Sequence, residues 1–264
     1  MDQSGGGEKI TMHIAIISDI HGNLIALETV LADIRSANVN RIVCLGDVAA
    51  SGPQPQAVIT LLRTLKIPCV MGNADEELFN PHVFEANSEL RQRIKAISQW
   101  NAAQLSSADL DFLRAFQPTI TIPLDEDASL LCYHGSPRSN NDVILVATPD
   151  EELEPMVAGF TAAALAGGHT HTQMLRRYQD KLIINTGSVG LPFERVGTEI
   201  RNVPWAEYAL LHYETGNLRI EFRRVSLDVH AITHAALASG MPHAEWWIST
   251  WHGPTDPKGW RPYA

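Results

Sequence analysis

Five short apolar runs in this chain each stop, within a few residues, at side chains able to ligate a metal. Ile14-Ala15-Ile16-Ile17 leads to Asp19 and His21, Arg41 to Leu45 leads to Asp47, and Cys69 to Met71 leads to Asn73. Ser129 to Tyr133 leads to His134, and Ala162 to Leu165 leads to His169 and His171. Runs this short and this rich in branched residues read as strands covered on both faces. That constrains the chain to an α/β sheet, in which ligands gather beyond the carboxyl ends of the strands.

The intervening sequence fits. Leu24, Leu27, Leu31 and Ile34 recur at helical spacing after Asn23, a fair N-cap. Val58, Leu61, Leu62 and Leu65 share one face of a second helix expected over about 54–66. The order β-α-β-α-β predicts a parallel sheet with right-handed crossovers. Residues 75–117 read as mostly helical, with N-caps at Ser88 and at Ser106 or Ser107, and a strand follows near 119–122. A hairpin is expected over 173–184, turned at Gln179-Asp180, and another over 207–225 around Thr215-Gly216-Asn217.

Seven ligand types at five strand ends, two Asp, one Asn and four His, form a mixed imidazole and carboxylate set. Such a set suits Mn, Fe, Zn, Co or Ni better than Mg or Ca. Seven groups are too many for one tetrahedral ion but suit two ions about 3.5–4 Å apart with a shared carboxylate. Glycine stands beside Asp47, Asn73, His134 and His169, where the backbone must turn tightly and admit an ion.

Composition bounds the rest. With 264 residues, 45% hydrophobic, the chain can bury roughly three quarters of its unfolded surface. Its formal charge of −10 and the lack of a Lys/Arg block argue against a nucleic-acid or anionic-membrane surface. No apolar window reaches about 18 residues, so a membrane-spanning helix is not expected. Three cysteines without paired spacing exclude a disulfide scaffold, and Cys44, Cys69 and Cys132 read as small core residues. The expectation is a cytoplasmic enzyme.

Three segments are expected: a flexible leader or expression remnant over 1–12, a main domain over 13–225, and a Trp-rich extension over 226–264. Trp246, Trp247, Trp251 and Trp260 fall in that extension, and rings of this size are costly to leave in water. The simplest reading docks the extension on its own chain. A homo-oligomer contact, or a flap that covers the site and restricts substrate size, are the alternatives.

The motifs Asp19-Ile20-His21, Gly46-Asp47, Gly72-Asn73, His134-Gly135 and Gly168-His169-Thr170-His171 resemble, in that order, the calcineurin-like metallophosphoesterases. The small bacterial and archaeal phosphodiesterase branch is most similar. The resemblance covers about 13–225 and implies a four-layer αββα sandwich of two mixed sheets with a dinuclear site at its loop end. It implies that Asp19, His21, Asp47 and His171 hold one ion, with Asp47 bridging to a second held by Asn73, His134 and His169. It further implies a hydrolase, a phosphodiesterase or phosphatase, using a metal-activated water on a small, nucleotide-like phosphoester. The alternative is a non-catalytic or weakly active scaffold of the same fold.

Two positions depart from the family pattern. Where many relatives carry a His after Gly-Asn as general acid, this chain has Ala74 followed by Asp75. The leaving-group proton then comes from Asp75, from water, or is not needed. Where many relatives carry an acid three residues after the bridging Asp, this chain has Ala50, so a brace is missing or supplied elsewhere. Arg138 and Arg195 are candidates for a phosphate clamp. Gly187 and Ser188 are expected to shape the site rim.

Overall fold

The computed structural model describes residues 11–80, 88–196, 199–214 and 216–251. Its first sheet holds β1 (Thr11–Ile17), β2 (Arg41–Cys44), β10 (Trp205–Glu214) and β11 (Asn217–Ser226), in the order β11-β10-β1-β2. Its second holds β3 (Ile120–Pro123), β4 (Ser129–Cys132), β5 (Ala164–Gly167), β6 (Met174–Tyr178) and β7 (Lys181–Asn185), in the order β3-β4-β5-β7-β6. β8 (Phe193–Val196) and β9 (Glu199–Asn202) form a separate hairpin.

Period-two alternation in β1 builds two cores at once. Ile14 and Ile16 face the second sheet, meeting Leu130, Cys132, Ala164, Ala166 and Ile184. Ala15 and Ile17 face the other way, onto helices α1 (Leu24–Ser36) and α2 (Pro55–Leu65). α4 (Glu89–Ala103), α5 (Ser107–Arg114), α7 (Val229–Ala238) and α8 (Ala244–Ser249) join that same outer layer through Ile97, Leu113, Ile232 and Trp247. On the far side α6 (Asp150–Val157) packs Leu153 and Val157 against Leu131, Leu165 and Ile183. The result is the expected four layers, helices outside and two sheets between.

The helix starts follow their caps. Asn23 accepts the Ala26 amide at 3.1 Å, and Ser106 forms a reciprocal capping box with Asp109 at the head of α5. Ser88 caps α4 by accepting from Arg91 N at 3.2 Å.

Both sheets are mixed, as the resemblance implies: β1 and β2 are parallel while β10 lies antiparallel between β1 and β11, and the second sheet pairs β3 antiparallel and β5 parallel to β4. Other expectations are corrected. The run 69–71 is not a full strand. Val70 N donates to Cys44 O at 2.9 Å while Met71 N donates to Gln117 O at 2.8 Å, so three residues split between two neighbours make isolated bridges. β1 begins at Thr11, inside the stretch assigned to a leader. The segment expected to be mostly helical over 75–117 holds the end of α3 (Asn73–Glu77), then α4 and α5, which start at the expected caps Ser88 and Ser106. α6, α7, α8 and the β8–β9 hairpin had no counterpart in the expected elements.

In the extension, Trp247 and Trp251 are buried in the helical-side core, with ring centroids 5.6 Å apart. Trp246 is half-buried beneath the Arg93 guanidinium. Trp260 lies outside the described residues. Among those residues no helix is long and apolar enough to cross a membrane.

Candidate metal centre

Parallel β1 and β2 of one sheet, and parallel β4 and β5 of the other, deliver their carboxyl ends to a common edge. The loops beyond them are pinned side by side. Asp19 N donates to Gly46 O at 3.0 Å, His21 N to Asp47 O at 2.9 Å, and Gly168 N to His134 O at 2.9 Å. Asp19, His21, Asp47, His169 and His171 all adopt positive φ, between 49° and 67°. Non-glycine residues avoid that region, and such strain concentrates where a site demands it. Gly72 and Gly168 are required for a different reason, close approach: a Cβ on Gly72 would strike the Asp47 carboxylate, and one on Gly168 would strike Ser18 Oγ and Asp19.

The side chains gather in two groups, Asp19 with His21 and His171, and Asp47 with His134 and His169. Asn73 joins the second group, its Oδ1 3.0 Å from His134 Nε2. Between the groups stands Asp47 Oδ2, 3.8 Å from His21 Nε2 and 3.3 Å from His134 Nε2. The other oxygen of Asp47 is used to hold it in place, accepting the Ala74 amide at 2.9 Å.

Three rings are aimed by the backbone. Nδ1 of His21, His134 and His171 donates to the carbonyls of Ala50, Leu45 and Leu191 at 3.0, 2.8 and 2.7 Å. A carbonyl only accepts, so each Nδ1 carries a proton and each Nε2 is turned inward, the nitrogen left to ligate an ion once it holds no proton of its own. This is the usual outer support of a metal-ligating imidazole. Two such nitrogens, on His21 and His171, face each other at 3.0 Å. Asp19 Oδ1 is buried with no hydrogen-bond partner. Converging ring nitrogens around a buried carboxylate oxygen, Asp19 Oδ1 lying 3.2 Å from His171 Nε2 and 3.8 Å from His21 Nε2, fit a divalent cation, which would engage them all at once.

The rings and carboxyls of the cluster shift one another's protonation. Burial opposes charge on His134, but Asp47 and Asp19 beside it prevail and push the ring up to about 10. Burial opposes charge on His171 as well, and Asp19 overcomes it and raises that ring too. The carboxyls respond in kind. Burial would raise both, yet His171 holds Asp19 well below the usual carboxylate range, and His134 brings Asp47 to about 2. His21 and His169 move the other way: burial first, then the neighbouring rings, keep them low.

Asp75 takes a different place from the proton donor expected of it. Its side chain is fully buried beneath the loop that follows β2, with Oδ1 accepting from Val48 N at 2.8 Å and Ala49 N at 3.4 Å. A carboxyl sealed there cannot meet a leaving group, and it braces the loop instead. Burial, then the charge of Asp47, raises it to about 7. Asn101 on α4 continues the brace, taking the Ser51 amide at 2.8 Å and donating to Gly52 O at 2.7 Å. The support missing at Ala50 is therefore supplied from α3 and α4. No periodicity or motif marked Asn101, one of several polar residues on α4, as part of the site.

Arg138 is already engaged. Its Nε donates to Asp142 at 2.6 Å and its Nη1 to Pro155 O at 3.3 Å, so its charge is countered within the loop. Arg195 sits exposed on β8, opposite Ile200. Ser188 is buried, its hydroxyl donating to Asp19 O at 2.8 Å and accepting from Leu191 N at 2.9 Å, so it supports Asp19 from below and does not line a rim. Asn185, absent from the expected site, holds the His169 loop through Thr170 Oγ1 at 3.0 Å. His13, His212, His230, His234 and His243 lie outside both groups.

A cavity of about 430 Å³ opens between α3 and the loop after His134. Phe79, Arg114, Glu76, Arg138 and Asn140 are among its walls. The Arg114 guanidinium covers one face of Phe79, and Asn140 Nδ2 donates to Glu76 at 3.0 Å. Its walls follow Asn73 and His134 in the chain, and none of the seven ligand side chains is among them.

A calcineurin-like phosphoesterase superfamily domain matches residues 12–226. Uncharacterized protein MJ0912 of Methanocaldococcus jannaschii is 25% identical over 242 residues, covering 88% of this chain and 94% of that protein. A metallophosphoesterase from Sphaerobacter thermophilus is similar in structure, with a TM-score of 0.69 and 27% identity over 90% of this chain and 97% of that one. Hypothetical protein PH1004 of Pyrococcus horikoshii OT3 shares the fold, with a TM-score of 0.75 at 19% identity over 90% of this chain and 96% of that one.

Proposed function

Because the chain belongs to the calcineurin-like phosphoesterase superfamily, we propose that it hydrolyses a small phosphoester with water at a pair of divalent cations. The observation that carries this reading is Asp47, one carboxylate oxygen held between two imidazole groups at 3.8 and 3.3 Å. In this reading Asp19, His21, Asp47 and His171 would hold one ion, and Asp47, Asn73, His134 and His169 would hold a second. Mn, Fe, Zn, Co and Ni are the ions this donor set suits. Bound there, the pair would supply positive charge for phosphoryl oxygens and acidify a water enough to attack near neutral pH.

The rest is done by the chain. Backbone carbonyls orient three imidazoles, the Ala74 amide holds Asp47, and the His169 amide donates to Asp19 Oδ2 at 3.0 Å. Such preorganisation removes the cost of ordering ligands when the ester binds. Asn73 cannot titrate, so its amide oxygen ligates and moves no proton. With Ala74 in the usual place of an acid and Asp75 sealed below, leaving groups of low basicity are favoured. In this reading the cavity whose walls follow Asn73 and His134 in the chain takes that leaving group, and its Phe79 wall suits a flat ring such as an aryl group or nucleobase.

The test is hydrolysis of aryl phosphodiesters and monoesters by metal-free protein resupplied with Mn, Fe, Zn, Co or Ni. Turnover that appears with metal and vanishes with chelator is expected. A folded, metal-loaded protein inert toward the whole panel would overturn the reading in favour of a binding scaffold, which the loss of the acid at Ala74 keeps as the second reading.

A further inference from the structure

The superfamily match ends at residue 226, yet the chain beyond it reaches back to the ligand groups by two routes. On the first, Trp247 Nε1 of α8 donates to Ser51 O at 2.9 Å. Ser51 follows Ala50, whose carbonyl receives Nδ1 of His21. On the second, Asn202 at the end of β9 donates its amide to Thr250 O at 2.7 Å and its Nδ2 to Thr250 Oγ1 at 3.0 Å. That hairpin continues the segment whose Leu191 carbonyl receives Nδ1 of His171, and its Phe193 ring lies 5.9 Å from the His171 ring. Val203 N, one residue on, closes the segment by donating to Pro192 O at 3.0 Å.

We infer that the segment 229–251 is a positioning element for one of the two ligand groups, acting through Trp247 and Thr250 on the two carbonyls that aim His21 and His171. The selectivity follows from where the routes end. His21 and His171 both belong with Asp19, and both depend on carbonyls in irregular loops. His134 is aimed by Leu45 O, immediately after β2, where sheet pairing fixes the backbone: Leu45 N donates to Ile17 O at 2.8 Å. Nothing described in 229–251 makes a hydrogen bond to that carbonyl or to His134. A polar group buried with its hydrogen bond made is worth little by itself, but its loss leaves the Ser51 carbonyl unsatisfied and the loop free to shift. An imidazole misaimed by that shift loses affinity for its ion. The extension therefore adds to the metal centre from outside the matched superfamily domain.

This inference rests on the proposed two-cation site, and the experiment separates their failures. Metal-free full-length protein is titrated with Mn by calorimetry, and thermal unfolding is followed in parallel. The wild type is expected to bind two ions. Trp247→Phe keeps the buried ring and removes the N–H, and is expected to weaken one binding step about fivefold, the loss of roughly one hydrogen bond, while the other step stays within about twofold. Ile232→Val, in the same core on α7 but away from the loop, controls for stability alone and is expected to leave both steps unchanged. Equal affinities for Trp247→Phe and wild type would overturn the inference, as would an Ile232→Val variant that loses as much. If Trp247→Phe does not fold, Thr250→Val reads the second route, with the same expected loss at one step and the same overturning result. A wild type that binds no ion would remove the site itself and the inference with it.

Discussion

His21 and His171 face each other through Nε2 at 3.0 Å, each with its Nδ1 proton given to a backbone carbonyl. Two lone pairs at that distance repel unless a proton or a cation lies between the rings and the Asp19 oxygen beside them. The contact is the clearest sign that the cluster is arranged for something positively charged.

Cation binding should therefore release protons. Asp47 and Asp19 overcome the burial of His134 and hold it protonated up to about pH 10, and Asp19 likewise raises His171. An ion must displace those protons, so affinity is expected to rise with pH across the neutral range. Titration in buffers of different ionisation enthalpy measures the release, and a heat independent of buffer would refute it.

Asp47→Asn should abolish turnover and weaken both ions. Outer ligand-supporting residues commonly cost about 10–100-fold in affinity or activity, and a shared direct ligand should cost at least the upper end of that range. Retained partner binding with no change in metal content would instead favour the scaffold reading.

Asp75→Asn separates a brace from a proton donor. The amide keeps an acceptor for Val48 N and should preserve most activity, whereas Asp75→Ala strands two buried amides at a cost of roughly 1–3 kcal/mol. Burial and Asp47 raise this carboxyl from 3.8 to about 7, so its folded pKa lies above the unfolded one. Its stabilising contribution is full below the unfolded value and is lost as pH rises through about 7. Denaturant unfolding of metal-free Asp75→Asn should show a shallower fall in stability from pH 4 to 8 than wild type. An unchanged slope would contradict the assignment.

Gly72→Ala should damage the centre more than the fold. The added methyl meets the Asp47 carboxylate and amide, which must shift from between the two groups. Metal stoichiometry by elemental analysis is expected to fall below two per chain while circular dichroism stays native. Full metal content would show that the close approach is not needed.

Phe79→Ala tests the cavity that Phe79 lines. Loss of the ring should raise KM for aryl or nucleoside esters about 5–10-fold, consistent with roughly 1–1.5 kcal/mol of aromatic contact, with little change for a methyl ester. Equal effects on both would place the leaving group elsewhere.

The strand ends and their ligand types were legible because each consists of local signals: an apolar run, then Asp, Asn or His with a glycine close by. Helix starts at Asn23, Ser88 and Ser106 were legible for the same reason, since a cap is a contact three residues long. Cys69 to Met71 misled because three apolar residues cannot say whether one neighbour or two will take their hydrogen bonds.

What the sequence by itself determined is the chemistry available at the loop edge: two carboxylates, an amide and four imidazoles, delivered by strands short enough to be covered on both faces. What only tertiary structure decided is which of these face each other, which proton each ring keeps, and which distant groups hold them there. Asp75, Asn101 and Trp247 act on one loop from three different helices, and their hydrogen bonds span 26 to 196 residues of chain. Such contacts leave no periodicity to read, because the backbone groups they satisfy are carried by every residue alike and are distinguished only by where folding puts them.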